Sequence, residues 1–153
     1  KSLARVIAAL GDAGKPPVEM PAETRSAHQA AAAAGCALDQ IVKSIIFEGA
    51  SGQMYLFLTA GGHQVDIALA SALAGDKLGR ADPNAVRQAT GFAIGGVAPI
   101  GHLTPLPIWI DPRLLEFDTV WAAAGTPRHI FQISPDALQR LTGASIAPFT
   151  MDP

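Results

Sequence analysis

Residues 91–102 interrupt the regular pattern of this chain and read Gly91-Phe92-Ala93-Ile94-Gly95-Gly96-Val97-Ala98-Pro99-Ile100-Gly101-His102. Four glycines and one proline fall within these twelve residues. Inside a helix a glycine costs about 1 kcal/mol and a proline about 3 kcal/mol, so this stretch cannot be helical. We therefore interpret it as a loop.

The composition of this loop suits a rigid binding surface made of main chain. Gly95 and Gly96 have no Cβ, so their backbone can take a positive φ and come close to another molecule. Pro99 fixes its own φ and biases Ala98 toward an extended conformation, which stiffens the loop. Exposed N–H groups in such a loop can hold a phosphate, a carboxylate or the oxyanion of a tetrahedral intermediate. The alternative is a tight connection between two strands.

Length and composition predict one folded domain over residues 1–153, without a linker. Apolar residues make up 49% of the chain and charged residues 16%, and the mean hydropathy is +0.27. These values are typical of a globular protein and exclude disorder as a main feature.

The same sequence disfavours several locations and chemistries. No apolar run approaches the ~20 residues that span a bilayer, and Lys1–Leu10 is too short and too mixed for a signal peptide. We therefore expect no membrane contact and a cytoplasmic location. The net charge of −2 argues against wholesale coating of nucleic acid, although a local contact assembled by folding stays open. The single cysteine, Cys36, is expected to be a buried small hydrophobe rather than a nucleophile.

Apolar periodicity and turn residues predict alternating helices and strands. The predicted helices span residues 3–10, 27–34, 67–73, 83–90 and 135–141. The predicted strands span residues 41–47, 54–59, 108–110, 119–123 and 129–133, with a shorter extended piece at 18–20. A hairpin loop at 49–52 joins two of these strands. The alternation has no regular repeat, which predicts a mixed α/β or α+β domain built around one sheet.

Lys43 is the conspicuous polar residue of the strand at 41–47. A charged amine inside an apolar strand is seldom buried unless it is paired or used in binding. The alternative places Lys43 on an exposed face, or lets its ammonium reach solvent at a sheet edge.

Common catalytic and cofactor motifs are absent from the sequence. His28, His63, His102 and His129 show no zinc-ligand spacing, and neither a phosphate-binding GxxxxGK[ST] loop nor a dinucleotide GxGxxG fingerprint occurs. There is no GxSxG nucleophile elbow. We therefore expect no metal and no cofactor. The remaining candidate site residues are the lysine in the strand, the residues of two glycine/proline turns and the histidine that follows each turn.

Five segments carry a family resemblance that covers nearly the whole chain. In order they are P-A-E-T-R-S-A-x-x-A-A (Pro21–Ala31), V-K-S-I-I-F (Val42–Phe47), L-F-L-T-A-G (Leu56–Gly61), T-G-F-A-I-G-G-V-A-P-I-G-H (Thr90–His102) and A-G-T-P-R-H-I-F (Ala124–Phe131). The chain resembles the editing-domain superfamily of bacterial prolyl-tRNA synthetases. The free-standing members of this superfamily are trans-acting aminoacyl-tRNA deacylases, such as the Cys-tRNA(Pro) deacylases.

This resemblance implies a fold, an activity and a set of site residues. The fold is a single α/β (mixed α+β) domain with a mixed, largely antiparallel sheet flanked by helices. The activity is hydrolysis of the ester between a wrong amino acid and the terminal adenosine of tRNA. Lys43 matches the family's essential lysine and Gly95, Gly96 and Pro99 match its GxxxP loop, so these four are the expected catalytic residues. The expected substrate-binding residues are Thr24, Ser44, Ile94, Val97, Ala98, His102, Gly125 and His129.

The chemistry of an aminoacyl ester fits these residue types. The ester is already activated, so main-chain groups that position it, stabilise the oxyanion and admit a water can suffice without a nucleophilic side chain. By the resemblance, Lys43 would hold the terminal phosphate or ribose, and a free hydroxyl of the substrate's own sugar would assist. Apolar side chains near the loop would select the amino acid by size.

Two histidines bear on specificity. His129 falls where editing domains built into synthetases carry a pocket histidine, whereas the Cys-tRNA(Pro) deacylases have a glycine-rich sequence there. His102 follows the loop where several relatives have glutamine or another residue. A hydrogen-bonded structural role explains either histidine equally well.

The expected substrate is tRNA(Pro) carrying a small wrong amino acid such as alanine, with serine, threonine and cysteine as other candidates. The expected partner is the acceptor end of aminoacyl-tRNA, and prolyl-tRNA synthetase is a second candidate partner. The alternative function is a non-catalytic module that uses the same loop to bind an acceptor end, a nucleotide or an amino-acid conjugate. For catalysis we expect the loop main chain, rather than His102 or His129, to act on the ester.

Overall fold

A computed structural model describes residues 1–152, and within them lie five α-helices, two 3-10 helices and eight strands. The α-helices are α1 (Ser2–Leu10), α2 (Ala27–Ala34), α3 (Ile67–Ala74), α4 (Pro83–Thr90) and α5 (Pro135–Thr142). The 3-10 helices are Leu38–Gln40 and Pro112–Glu116. The strands are β1 (Val18–Glu19), β2 (Ile41–Gly49), β3 (Met54–Ala60), β4 (Leu78–Arg80), β5 (Ile108–Ile110), β6 (Val120–Ala123), β7 (His129–Ile133) and β8 (Ser145–Ile146).

The described strands form one sheet in the order β1-β7-β6-β2-β3-β5-β8, and β4 pairs with β2 beside this path. The pairs β1–β7, β2–β3, β2–β4 and β6–β7 are antiparallel. The pairs β2–β6, β3–β5 and β5–β8 are parallel. The predicted mixed α/β fold, with a largely antiparallel mixed sheet flanked by helices, is confirmed.

Side-chain caps fix where the helices begin. The Ser26 Oγ accepts a hydrogen bond from the Gln29 N–H, and the Ser26 N–H donates to the Gln29 Oε1, which is a capping box. The Asp82 and Ser134 side chains cap α4 and α5 by accepting a hydrogen bond from the Ala85 and Ala137 N–H groups, and each cap is followed by a proline in the first turn. These caps explain why the predicted helix starts agree with the structure.

β3 is buried along its whole length, and its two faces belong to different apolar cores. Leu56 and Leu58 lie in the main core, which also holds Phe92 and Val97 of the loop 91–102. Phe57 points to the opposite face, where its ring stacks on that of Trp109 with 5.0 Å between centroids. The apolar run of β3 therefore has cover on both faces.

Two short strands are missing from the sequence prediction. β4 is centred on Gly79, a residue type that is depleted in strands, and it forms only by pairing with the end of β2. β8 has two residues and pairs only with β5. Both depend on a partner strand that is distant in sequence, so no local pattern reveals them.

α1 packs by a narrower face than its sequence pattern predicts. Val6 and Leu10 are buried in the main core and Leu3 packs against it. Ile7 was expected on the same face but is 49% exposed. The apolar contact of α1 with the main core is therefore one row of side chains.

Cys36 is partly buried against the small core of Ala30, Ala31 and Ile41. Burial raises the pKa of its thiol. A raised pKa keeps the thiol protonated at neutral pH, which favours the predicted packing role over a nucleophilic one.

In the described part of the chain, no helix has both the length and the apolar character that crossing a bilayer requires.

Candidate active site

A cavity of about 590 Å³ lies where β2, β6, α2 and the loop 91–102 meet. This volume is within the range of about 300–1,000 Å³ that small-ligand sites usually have. Ala27 and Ala30 form the α2 wall, Trp121 lies on the β6 side, and Ile94 and Val97 come from the loop.

A gap in the sheet forms the floor of this cavity. β6 pairs with β2 only at Ile41 and Val42, and β4 pairs with it only from Phe47 onward. Residues 43–46 line the cavity, and no described strand pairs with them on that side. The central strand of the sheet therefore presents a bare edge to the cavity.

The main chain of Ser44 points into this gap. Successive residues of an antiparallel strand direct their N–H and C=O groups to alternate sides. The Gly49 N–H donates to the Gln53 C=O across the hairpin at 2.9 Å, so the odd-numbered residues of β2 face β3. The even-numbered Ser44 and Ile46 therefore face away from β3, toward the cavity.

The Ser44 side chain is also unsatisfied. Its Oγ is buried and has no hydrogen-bond partner within residues 1–152. A buried hydroxyl without a partner costs free energy, and one that borders a cavity can recover it from a ligand. The Ser44 hydroxyl and main chain are thus a polar cluster available to a bound molecule.

Lys43 stands beside Ser44 with its ammonium already partly bound. The Lys43 Nζ donates to the His63 C=O in the turn after β3. Burial lowers the pKa of the Lys43 ammonium, while the carboxylates of Asp111 and Asp39 act in the opposite direction. An ammonium has three N–H groups, so two stay free for a ligand.

A buried carboxylate holds the turn that contacts Lys43. Asp111 is 2% exposed and accepts hydrogen bonds from the Ala60 N–H at 3.1 Å and the Arg113 N–H at 3.0 Å. Its Oδ2 also lies 2.7 Å from the His63 Nδ1. Sequence reasoning missed this group, because Asp111 looks like an ordinary cap before Pro112.

The tip of the loop 91–102 is exposed and built on a tight turn. Gly95 has φ +85°, and the Gly96 N–H donates to the Ala93 C=O at 2.9 Å. Ile94 is 48% exposed at the cavity rim. Within residues 1–152 the N–H groups of Ile94, Gly95 and Val97, which line the cavity, donate to no protein acceptor.

The second half of the loop is buried and faces away from the tip. Ala98 and Pro99 are buried, and the His102 Nε2 lies 2.7 Å from the Ala98 C=O. Pro99 and His102 line a second, smaller cavity of about 240 Å³ behind the loop. Since a carbonyl only accepts, the His102 Nε2 carries the proton and donates.

Burial lowers the pKa of His102, and the nearby Arg5 charge lowers it further. The hydrogen bond to Ala98 acts in the opposite direction but is the smaller effect. The geometry therefore gives His102 a structural role, in which its ring holds the second half of the loop in place.

The turn after β6 carries two further predicted residues. The Thr126 hydroxyl accepts from the N–H groups of Arg128 and His129, so its proton donates to the His129 Nδ1 at 2.6 Å. The neutral ring then carries its proton on Nε2. Gly125 has φ +90°, and a Cβ there would come within 2.7 Å of the Phe92 ring. Gly125 therefore packs this turn under the loop.

Thr24 ties the segment before α2 to the same turn. Its N–H and its Oγ1 both donate to the Pro127 C=O, at 2.7 and 3.1 Å. It also lines the cavity beside Arg25. The side chain of Arg25 pairs with Glu23 at 3.0 Å, and both are largely exposed.

The structure brings half of the predicted site residues to one cavity. The lining residues among them are Lys43, Gly95, Thr24, Ser44, Ile94 and Val97. The others lie outside the lining: Gly96 in the loop tip, Ala98, Pro99 and His102 behind the loop, and Gly125 and His129 in the turn.

The charged side chains that line the cavity are positive. Arg25 and Lys43 are among its lining residues, and no carboxylate is among those described. Such a wall suits an anionic ligand. Across residues 1–152, no three His, Cys, Asp or Glu side chains come together as a metal-ion site.

Comparison with known proteins finds relatives that cover most of this chain. The curated relative is the uncharacterized protein YwhH of Bacillus subtilis (strain 168), 32% identical over 126 residues, or 81% of this chain and 80% of that protein. A crystal structure described as a proposed trans-editing enzyme for prolyl tRNA synthetase is 47% identical, with a TM-score of 0.90 over 99% of this chain and 98% of that one. A structure from epitope backbone grafting onto scaffold proteins is 45% identical, with a TM-score of 0.91 over 99% of this chain and 98% of that one.

The model of the family described as "Aminoacyl-tRNA editing domain" matches residues 21–141. This range contains α2, the bare edge of β2, the loop 91–102 and the turn after β6, which together surround the cavity. The chain therefore belongs to the aminoacyl-tRNA editing domain family.

Proposed function

We propose that this protein is a trans-editing hydrolase that cleaves the ester of mischarged aminoacyl-tRNA. The observation that carries the proposal is the bare edge of β2, where Lys43 and Ser44 line one cavity together with the tip of the glycine loop. Family membership supports aminoacyl-tRNA as the substrate class. A tRNA substrate would place the activity in the cytoplasm.

The reaction needs little more than placement of the ester and a water. The water oxygen attacks the ester carbonyl carbon, the carbonyl oxygen becomes an oxyanion, and the bond to the ribose oxygen then breaks. One proton of the attacking water passes to the ribose oxygen, the other is released to solvent, and the amino acid leaves with a free carboxylate. The candidate donors to the oxyanion are the free N–H groups of Ile94, Gly95 and Val97 and the main chain of Ser44.

Lys43 supplies the positive charge in this proposal. Two N–H groups of its ammonium are free beside the bound His63 carbonyl, and they would hold the terminal phosphate or ribose of the tRNA. The Ser44 hydroxyl would recover its missing hydrogen bond from the same sugar or from the amino acid.

The expected amino acid is small, and alanine on tRNA(Pro) is the first candidate. Ala27 and Ala30 on one side and Ile94 and Val97 on the other make an apolar wall that suits a short side chain. Serine, threonine and cysteine stay candidates, because one methylene changes binding by only about 1–3 kcal/mol. The choice of tRNA(Pro), and of prolyl-tRNA synthetase as a partner, draws on the 47% identical structure.

The alternative function is a non-catalytic module that binds an acceptor end, a nucleotide or an amino-acid conjugate. The same cationic wall and free N–H groups would serve it. The two functions differ in whether the ester is lost.

A panel of aminoacyl-tRNAs, each labelled on the amino acid, separates them. The panel consists of tRNA(Pro) charged with alanine, serine, threonine, cysteine or proline, and of tRNA(Ala) charged with alanine. We expect rapid release of alanine from tRNA(Pro) and retention of proline. Binding of the panel without any ester loss would sink the hydrolase proposal and leave the binding module.

A further inference from the structure

α1 grips both ends of the glycine loop through one side chain. The Arg5 Nη2 donates to the Gly91 C=O at 2.6 Å, and the Arg5 Nε donates to the Gly101 C=O at 3.2 Å. Ten residues separate these two carbonyls in sequence, yet one guanidinium bridges them. A guanidinium is planar and presents several donors at fixed angles, so it holds two acceptors in a set relation.

The loop ends are shaped to receive Arg5, its side chain at Gly91 and its backbone at Gly101. Gly91 has φ +80°, and a Cβ there would lie 2.3 Å from the Arg5 Nη2. Gly101 has φ +81°, and a Cβ there would lie 3.1 Å from the Arg5 carbonyl oxygen. Gly91 and Gly101 are thus required by the contact with α1, whereas Gly95 is required by the turn at the loop tip.

The same guanidinium covers the buried ring at the start of the loop. Its carbon lies 4.9 Å from the centroid of the Phe92 ring, and Phe92 is 1% exposed. The edge of the Phe92 ring in turn faces the His102 ring, with 6.0 Å between centroids. Arg5, Phe92 and His102 therefore form a layer behind the part of the loop that lines the cavity.

We propose that Arg5 is a positioning residue that sets the conformation of the loop 91–101 for ester hydrolysis. The effect on hydrolysis rests on the proposed function, whereas the effect on the loop does not. α1 lies before the region that the family model matches, residues 21–141, so this contact is an addition to the elements that surround the cavity. The hydrogen bonds of Arg5 go to Gly91 and Gly101, and neither residue lines the cavity. Arg5 therefore acts on the cavity through the loop.

The test compares Arg5→Ala, Arg5→Lys and the control Arg140→Ala. Arg140 is exposed on α5, so its substitution removes the same charge without a loop contact. Amide hydrogen exchange at Phe92 and Gly96, whose N–H groups donate to the Thr90 Oγ1 and the Ala93 C=O, reports the loop, and exchange of β3 reports the whole domain. Arg5→Ala is expected to raise loop exchange by about tenfold or more, since two charge-assisted hydrogen bonds are lost, while β3 changes little. Arg5→Lys, which keeps the charge but reaches one carbonyl at a time, is expected to fall between.

Single-turnover deacylation is measured on the same variants. We expect the rate constant to fall about tenfold in Arg5→Ala with the dissociation constant for tRNA unchanged, and Arg140→Ala to match the wild type. Unchanged loop exchange in Arg5→Ala, or an equal rise in the loop and in β3, would overturn the proposal. If the wild type deacylates nothing, the proposed function fails, while the exchange data still decide the role of Arg5.

Discussion

Lys43 is the side chain on which the proposed chemistry depends most. Lys43→Ala is expected to lower kcat/KM for deacylation by about 10- to 150-fold, since a hydrogen bond to a charged group contributes about 1.5–3 kcal/mol. The fold should survive, because Lys43 is only half-buried and water can reach the His63 carbonyl that it leaves. Kinetics with Ala-tRNA(Pro) and a thermal melt check both parts.

The exposed Lys77 provides the control for this substitution. Lys77→Ala removes the same charge outside the cavity lining and should leave kcat/KM within about twofold. An unfolded Lys43→Ala, or one that deacylates at the normal rate, would show that Lys43 is structural or merely exposed.

His102 is expected to make stability depend on pH. Because burial lowers its pKa in the folded chain, the unfolded chain takes up the proton first as the pH falls. The contribution of His102 to stability is therefore complete above its ordinary pKa of about 6.5 and is lost as the pH falls toward the folded value. Relative to His102→Gln, whose amide can still donate to Ala98, the wild type should lose stability between about pH 7.5 and pH 5.

Urea unfolding of both proteins at the two pH values measures this difference. His28, His63 and His129 are present in both proteins, so the comparison isolates the substitution at His102. A free-energy difference that does not change with pH would contradict the expected protonation of His102.

At the scale of elements, substitutions at Gly95 and Gly96 distinguish the effect of backbone conformation from the effect of steric contact. A Cβ at either position could act by steric contact or by shifting the backbone N–H donors. The structure places nothing within 4 Å of a Cβ at Gly95 and only the Ala93 C=O, at 3.6 Å, near one at Gly96. What distinguishes them is φ, because Gly95 is in the left-handed region at +85° and Gly96 is not.

Gly95→Ala should therefore be the more damaging change. A left-handed conformation costs an alanine about 1–2 kcal/mol, so the single-turnover rate should fall about 5- to 30-fold, while Gly96→Ala stays closer to the wild type. Gly52→Ala is the matched control, because Gly52 has φ +91° in the β2–β3 hairpin, away from the cavity. A silent Gly95→Ala beside an inactive His102→Ala or His129→Ala would favour general-base catalysis instead.

Helices and strands differ in how far their sequences predict them. The helix starts at Ser26, Asp82 and Ser134 follow from local caps, so the sequence contains the whole signal. β4 and β8 have no such signal, because each exists only through a partner strand. Ile7 follows the apolar pattern of α1 but is exposed, since only one row of α1 has a core to contact.

The cavity is a property of the whole molecule and could not be predicted from any segment. It exists because β6 leaves β2 after Val42 and β4 joins it at Phe47, and neither event has a local pattern. Lys43 and Ser44 could be proposed from the family resemblance, but the bare strand edge between them and the loop could not. Asp111 was missed for the same reason, since 48 residues separate it from the His63 ring that it holds.

The domain assignment 1–153 stays a prediction, and the two tryptophans provide its test. Trp109 stacks on Phe57 in the core on one face of β3, whereas Trp121 packs with the small core around Ile41. The ladder between β2 and β3 joins these regions, so both tryptophans should report one cooperative unfolding event. In urea, the fluorescence midpoints of Trp109→Phe, which keeps Trp121, and of Trp121→Phe, which keeps Trp109, should each coincide with that variant's own circular-dichroism midpoint. A fluorescence transition of Trp121 that precedes the loss of secondary structure would mean that the cavity side unfolds as a separate unit, and the single-domain prediction would then be wrong.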